Sequence, residues 1–224
     1  MSKALSVLFL AAGLSMAAHA APSSKVAWTV ETMALIKSGD GDRGATLTER
    51  CASCHGEDGV SRSENWPSLA GQLAPYIYKQ LKDYKDGQRR HGVMRALSRG
   101  LSDQDMADIA AYYAALPVPE PSEPKGGGEA AERLAKRGDG VRLIPACQSC
   151  HGRDGRGNAT GGVGIAVMPS LVAQYPTYIA ETLRDYKNGK RANDVYSRMR
   201  SIAAELSDDE IQALADHYGT LTTE

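Results

Sequence analysis

Cysteine and histidine occur together at two places in the chain, in a spacing that suits one particular cofactor. The motif C-x-x-C-H is repeated by two sets of residues: Cys51, Cys54 and His55, then Cys147, Cys150 and His151. Two cysteines one helical turn apart can each form a thioether with a porphyrin vinyl group, and the next residue can coordinate the iron. We therefore predict two covalently bound haem c groups, attached by the cysteines and ligated by the histidines.

Other uses of four cysteines fit this spacing less well. An exported chain with four cysteines usually forms two disulfides, and a redox-active cysteine pair needs a strand–helix–strand setting. The two pairs of a zinc site lie about 15–20 residues apart, whereas 92 residues separate Cys54 from Cys147. Haem attachment is the interpretation that also uses both histidines.

The second axial ligand of each iron determines whether the iron mainly passes electrons or binds a small molecule. A ligand used by both halves should recur at equivalent places, and Met94 and Met199 each lie seven residues before a Leu-Ser-Asp sequence. Met106 aligns on Ile211 and Met168 on Trp66, so we interpret these two as packing residues. Met33 precedes the first haem motif and has no counterpart. Met94 and Met199 are the predicted sixth ligands, and a thioether ligand raises the haem potential relative to two histidines.

One histidine competes with the first methionine. His91 lies three residues before Met94 and could supply a second imidazole, but its counterpart in the other half is Tyr196. A shared role for this position is therefore poorly supported. In each half a backbone carbonyl at the proline after the haem motif, Pro67 or Pro169, is expected to accept the Nδ1 proton of the ligating histidine. A simple turn before the next helix is compatible with that role.

The elements that must position these ligands are duplicated as well. Residues 66–89 align without gaps on residues 168–191, with 12 of 24 positions identical. Apolar residues at helical spacing predict a last helix in each half, opened by a capping box at Ser102 or Ser207. A second amphipathic helix is predicted over 76–84 and over 178–186, each ending near a glycine. Because no segment alternates with period two, the predicted fold class is all-α, with one unit used twice in tandem.

Segments outside the two units suggest export and flexible tethering. A basic start, a short apolar run and the A-x-A sequence at Ala18 to Ala20 predict a signal peptide over 1–20, cleaved near Ala20, and hence a periplasmic protein. We expect domains over 21–116 and 129–224, joined by a Pro/Gly-rich linker over 117–128. With 26 basic and 27 acidic residues, the chain lacks the strong positive charge of nucleic-acid binders.

The ordered set of motifs resembles the two-haem class I cytochromes c of the c-four type. It comprises both C-x-x-C-H-G units, Pro-Ser-Leu after each, the two Tyr-Lys-Asp/Asn-Gly-x-Arg segments and the methionines before Leu-Ser-Asp. The resemblance implies two cytochrome c folds facing each other across a pseudo-two-fold interface, with the propionates of His/Met haems near it. It also implies electron transfer from a quinol-oxidising complex to a terminal oxidase, often with loose association with the membrane surface. A glycine-rich insertion at 158–167 departs from the pattern.

Three functions are compatible with two haem-binding motifs. The leading hypothesis is an electron carrier that is not an enzyme, and the alternative is the cytochrome subunit of a periplasmic dehydrogenase, such as one oxidising a sulfur compound. A haem peroxidase is disfavoured, because it expects an open iron while both halves have a candidate methionine.

Docking has two open interpretations. Basic residues cluster near each candidate methionine: Arg89, Arg90, Arg95 and Arg99 in the first half, and Arg184, Lys187, Lys190, Arg191, Arg198 and Arg200 in the second. They either steer acidic redox partners, or are solvated faces and counter-charges for haem propionates.

Overall fold

A computed structural model describes residues 23–121, 126–158 and 167–221. The predicted signal peptide and most of the glycine-rich insertion lie outside these residues. The helices of the described part are α1 Val30–Lys37, α2 Gly41–Leu47, α3 Glu49–His55, α4 Ala74–Lys85, α5 Gly92–Ser98, α6 Asp103–Ala115, α7 Gly128–Arg137, α8 Gln148–His151, α9 Pro176–Lys187, α10 Arg198–Ala204 and α11 Asp208–Gly219. Two isolated bridges are the only strand-like pairings described. The predicted all-α class is confirmed.

The first unit is built around α6, which packs against α1, α2 and α4. Met106, Ile109, Ala110 and Tyr113 form its buried face, and this confirms that Met106 is a packing residue. Helix α2 approaches α6 closely at Gly44, where a Cβ atom would lie 2.1 Å from a backbone oxygen of α6. Only glycine fits such a contact between two helix backbones. The predicted second amphipathic helix is α4, and it ends two residues before a glycine turn.

The second unit repeats this arrangement with α11 at its centre, packed against α7 and α9. Ile211, Leu214, Ala215 and Tyr218 form the buried face of α11 at the same spacing as in α6. The packing role predicted for Tyr113, Ile211 and Tyr218 is therefore confirmed. Helices α9 and α4 are each 12 residues long and each begin beside a proline, as expected from the gapless alignment of these segments.

Both last helices begin with a complete capping box. The Ser102 side chain accepts from the backbone of Asp105 while the Asp105 side chain accepts from the backbone of Ser102, and Ser207 and Glu210 repeat the exchange. Each acidic residue also pairs with an arginine elsewhere in its unit, Arg43 or Arg142. The boxes therefore fasten the start of each central helix to its own domain.

Acid is expected to loosen these two helix starts. Hydrogen bonds from Ser102 and then Arg43 lower the pKa of Asp105 to about 2, and hydrogen bonds from Arg142 lower the pKa of Glu210 to about 2. A carboxyl whose pKa is lower in the folded state contributes stability above its unfolded pKa of about 4, and loses it as the pH falls towards 2.

We therefore predict a fall in the free energy of unfolding between about pH 4 and pH 2, measured by urea unfolding at stepped pH. Glu210→Gln should make this fall shallower. Glu181→Gln, at an exposed position on α9, is the matched control and should leave the slope as in the wild type. Identical slopes for the wild type and Glu210→Gln would contradict the prediction.

Candidate haem-binding sites and the interface between them

The two C-x-x-C-H motifs lie on short helices that bring cysteine and histidine to one side. Helix α3 contains the first motif, and α8 with the residue before it contains the second. All four cysteines are free and partly buried, and burial raises the pKa of Cys51 and Cys147. Each helix ends at a glycine with positive φ, Gly56 or Gly152, so the chain turns away directly after the histidine.

Both histidines are oriented by a backbone carbonyl, as predicted. The Nδ1 atom of His55 lies 2.8 Å from the Pro67 oxygen, and Nδ1 of His151 lies 2.9 Å from the Pro169 oxygen. Burial lowers the pKa of both side chains, which favours neutral rings. A neutral imidazole that donates from Nδ1 has its Nε2 lone pair available for a metal, and this is how ligating histidines are usually held.

The candidate methionines lie on equivalent short helices, Met94 on α5 and Met199 on α10. Both side chains are partly buried and line the same cavity as the two motifs. His91 is exposed and caps α5, because its Nδ1 accepts a hydrogen bond of 3.3 Å from the Met94 backbone. Among the other methionines, Met168 also lines the cavity.

That cavity has a volume of about 1860 Å³ and is lined by both motifs, both helices with candidate methionines and the facing surfaces of α4 and α9. Pockets for one small ligand usually measure about 300–1,000 Å³, so this volume suits two large cofactors. Two buried hydroxyls on its wall, at Ser98 and Tyr218, have no hydrogen-bond partner among the described residues. A cofactor with polar edges would supply a hydrogen-bond partner for these two hydroxyls.

Reciprocal hydrogen bonds hold the two units together across the cavity. Gln72 donates to the Ser170 carbonyl at 3.0 Å and accepts from its N–H at 2.9 Å. Gln174 does the same to Ser68, donating at 2.9 Å and accepting at 3.0 Å. The two glutamines occupy aligned positions of the repeat. The units are therefore related by a pseudo-two-fold axis.

A second reciprocal pair places two guanidinium groups at the centre of the interface. Arg89 donates to the Tyr178 hydroxyl at 3.1 Å, and Arg191 donates to the Tyr76 hydroxyl at 2.8 Å. The two nearby arginines lower the pKa of Tyr178, although burial alone would raise that pKa.

These two arginines show how the cofactor fits the site. Arg89 and Arg191 line the cavity, yet in the part of the chain that is described neither forms an ion pair with a carboxylate. Buried cations require compensation, and the two propionates of each haem would provide it. Haem c thus suits all the residues of the site: the cysteines, the histidines, the candidate methionines and these two arginines.

A cluster of polar side chains extends the interface on one side only, and the sequence repeat does not predict it. Lys79 and Asp83 on α4 are buried and form an ion pair. Lys79 also donates to the Asn193 carbonyl at 2.7 Å, and the Asn193 amide donates to Asp83 at 2.7 Å. The repeat does not indicate these residues, because Lys79 aligns on Glu181 and the described residues contain only one copy of the cluster. For the reciprocal contacts, the signal was the identity of glutamine and arginine in both copies.

Comparison with known proteins agrees with this geometry. The family model described as cytochrome c matches residues 41–116, and that of cytochrome c oxidase, cbb3-type, subunit III matches 135–217. Cytochrome c4 of Pseudomonas aeruginosa is 39% identical over 97% of this chain and 98% of its own length. The thiosulfate dehydrogenase electron acceptor of Stutzerimonas stutzeri is 39% identical, covering 76% and 78% of the two chains.

A solved structure shows the same architecture in a relative. Reduced cytochrome c4 from Pseudomonas stutzeri superposes with a TM-score of 0.77 and 35% identity, over 83% of this chain and 100% of that one. The duplicated domains, the two C-x-x-C-H motifs and the cavity between the units are accounted for together by two covalently bound haem c groups. The chain belongs to the cytochrome c4 family of dihaem c-type cytochromes.

Proposed function

We propose that this cytochrome carries electrons in the periplasm from a quinol-oxidising complex to a terminal oxidase, and that it is not itself an enzyme. Cys51, Cys54, Cys147 and Cys150 would hold the two haems through thioethers. His55 with Met94 and His151 with Met199 would ligate the two irons. Haem supplies one chemical capability, the exchange of single electrons between ferric and ferrous iron. The protein supplies ligands, orientation and charge compensation.

One observation carries the proposal: two equivalent histidine–methionine sets border one continuous cavity. The Pro67 and Pro169 carbonyls fix the orientation of the histidines. With a histidine and a methionine as ligands, neither iron would have an open position for a substrate, and this would favour electron transfer over catalysis. The interface arginines compensate negative charge where the two units meet.

Location is inferred from the start of the chain. The predicted signal peptide supports export. Separately, none of the helices within residues 23–121, 126–158 and 167–221 has the length and apolar composition of a membrane span. Loose attachment to the membrane surface is part of the proposal, since quinol-oxidising complexes and terminal oxidases lie in the membrane. Fractionation of cells that produce the full chain tests it.

A redox titration followed by visible absorption tests the carrier function. We expect two one-electron steps, each with the spectrum of low-spin haem, and a haem stain that persists on the denatured protein. The Met-to-iron charge-transfer band should be present in the oxidised protein for both haems. Rapid binding of carbon monoxide to the reduced native protein would instead indicate an open iron and contradict the proposal.

A second function has specific support from the comparisons. Two relatives are named as thiosulfate dehydrogenase electron acceptors, at 39% and 36% identity over about three quarters of this chain. We therefore propose, as the alternative, a cytochrome that receives electrons from a dehydrogenase of a sulfur compound. Stoichiometric reduction by such a dehydrogenase with its substrate, together with co-purification of the two proteins, would favour this alternative over the respiratory role.

A further inference from the structure

The basic residues around the two candidate methionines have different surroundings. In the first unit Arg90, Arg95 and Arg99 are exposed, and none of them forms an ion pair with a described residue. Arg95 lies on α5 and Arg99, four residues later, caps its end with helical φ and ψ, so the two lie on the same side of the helix. Arg90 lies at the cavity edge, just before the helix begins. Three free positive charges therefore surround the start and outer face of α5.

Half of the six basic residues near Met199 are paired with carboxylates of the protein. Arg200 pairs with Asp194, Lys187 with Asp208 and Lys190 with Asp185, at distances of 2.7, 3.4 and 3.9 Å. Arg191 is buried in the interface. Arg184, Arg191 and Arg198 form no ion pair within the described part of the chain, and of these three only Arg198 is exposed. Three of the four basic residues near Met94 are therefore exposed and unpaired among the described residues, against Arg198 alone of the six near Met199.

Two exposed apolar side chains of the first unit line the cavity that Arg90 borders. Val93, next to Met94 on α5, is 55% exposed, and Trp66 is 36% exposed. Both side chains line the cavity that contains the first haem motif. Protein interfaces combine an apolar centre with a charged rim, and arginine and tryptophan are enriched in them.

We propose that the surface formed by Arg90, Val93, Arg95 and Arg99, here called the α5 surface, is the docking site for an acidic redox protein. Charge complementarity identifies the partner, because three unpaired guanidinium groups attract a cluster of carboxylates. The α5 surface also contains the helix of Met94, so docking there brings the partner close to the first haem. The inference rests on the proposed carrier function and assigns that haem as the entry or exit point for electrons exchanged with acidic partners.

Stopped-flow electron transfer to an acidic copper protein, plastocyanin, tests the assignment at ionic strengths from low to high. The fully haem-loaded wild type is expected to react faster at low salt, because opposite charges steer the encounter. The triple variant R90Q/R95Q/R99Q should react about tenfold more slowly at low salt and lose most of its salt dependence. The double variant R184Q/R198Q is the matched control from the second unit, and its rate should change less than about twofold.

Visible spectra and midpoint potentials of each variant show whether the haems and the fold are unchanged. Equal losses in the two variants would overturn the assignment to the α5 surface, and so would a wild-type rate that is independent of salt. Wild-type protein that transfers no electrons at any salt would contradict the carrier function itself.

Arginine also binds phosphate, so a lipid surface is the competing occupant. Sedimentation with vesicles of phosphatidylglycerol distinguishes it. Loss of vesicle binding in the triple variant, with an unchanged rate to plastocyanin, would overturn the protein-docking assignment.

Discussion

Replacing Met94 by histidine is expected to lower the reduction potential of the first haem by tenths of a volt, within the roughly 0.8 V range that axial ligands set. A thioether stabilises ferrous iron relative to a second imidazole, and so its loss favours the ferric state. Half of the Met-to-iron charge-transfer absorption should disappear, while the contribution of the second haem persists. A redox titration with near-infrared or visible detection measures both effects.

Three further variants make this result specific. Met199→His should produce the same change at the second haem, and Met106→Leu should change neither, because Met106 is fully buried in the core of the first unit. His91→Ala separates the rival ligand from the methionine. Because the His91 ring caps α5 through Nδ1, its loss should weaken the helix start and leave the charge-transfer band. An intact first-haem band in Met94→His would exclude Met94 as a ligand.

Asp83→Ala is expected to reduce the free energy of unfolding by about 3–5 kcal/mol, because it leaves the buried ammonium group of Lys79 without its counter-charge. The Asp83 side chain is 1% exposed, and it also accepts hydrogen bonds from Ser24 and Asn193. Burial already lowers the pKa of Lys79, and removing the carboxylate should lower it further. Urea unfolding of the haem-loaded protein, followed by circular dichroism, measures the loss.

The chain contains a matched control for this ion pair. Glu132 and Lys136 are also four residues apart and lie 2.5 Å from each other, but both side chains are more than half exposed. Glu132→Ala should therefore leave stability unchanged within error. The double variant Lys79→Met/Asp83→Leu removes both charges and should be more stable than Asp83→Ala. Equal effects of Asp83→Ala and Glu132→Ala would show that burial does not govern the energetics of the pair.

Helices that the sequence predicted are those long enough to show a full apolar stripe. α4, α6, α9 and α11 each have 12 or 13 residues with apolar positions at helical spacing. By contrast, α2, α5 and α10 have seven residues each. Two turns contain too few apolar positions to define a period, so these helices depend on tertiary packing.

In the site, the sequence predicted the features that occur in both halves and missed those that occur in only one. The motif residues, the candidate methionines and the proline carbonyls were all found by comparing one half of the sequence with the other. Lys79 and Asp83 look like an ordinary surface pair on one helix, because only the approach of the second unit buries them. Likewise Arg89 and Arg90 are neighbours in sequence, yet Arg89 turns into the interface and Arg90 is exposed. Sequence periodicity within one helix does not show which face a second domain covers.

The exchanged glutamine and arginine contacts also have a meaning for how the molecule assembles. In a symmetric homodimer, when residue i of one subunit contacts residue j of the other, residue j of the first subunit also contacts residue i of the second. The exchanged contacts in this chain follow that pattern. In this chain both partners are covalently connected, so their local concentration is on the order of millimolar at any dilution. A modest association energy is then enough to keep the pair closed. A single-unit ancestor with the same surface would have needed a high cellular abundance to pair, and fusion removes that requirement.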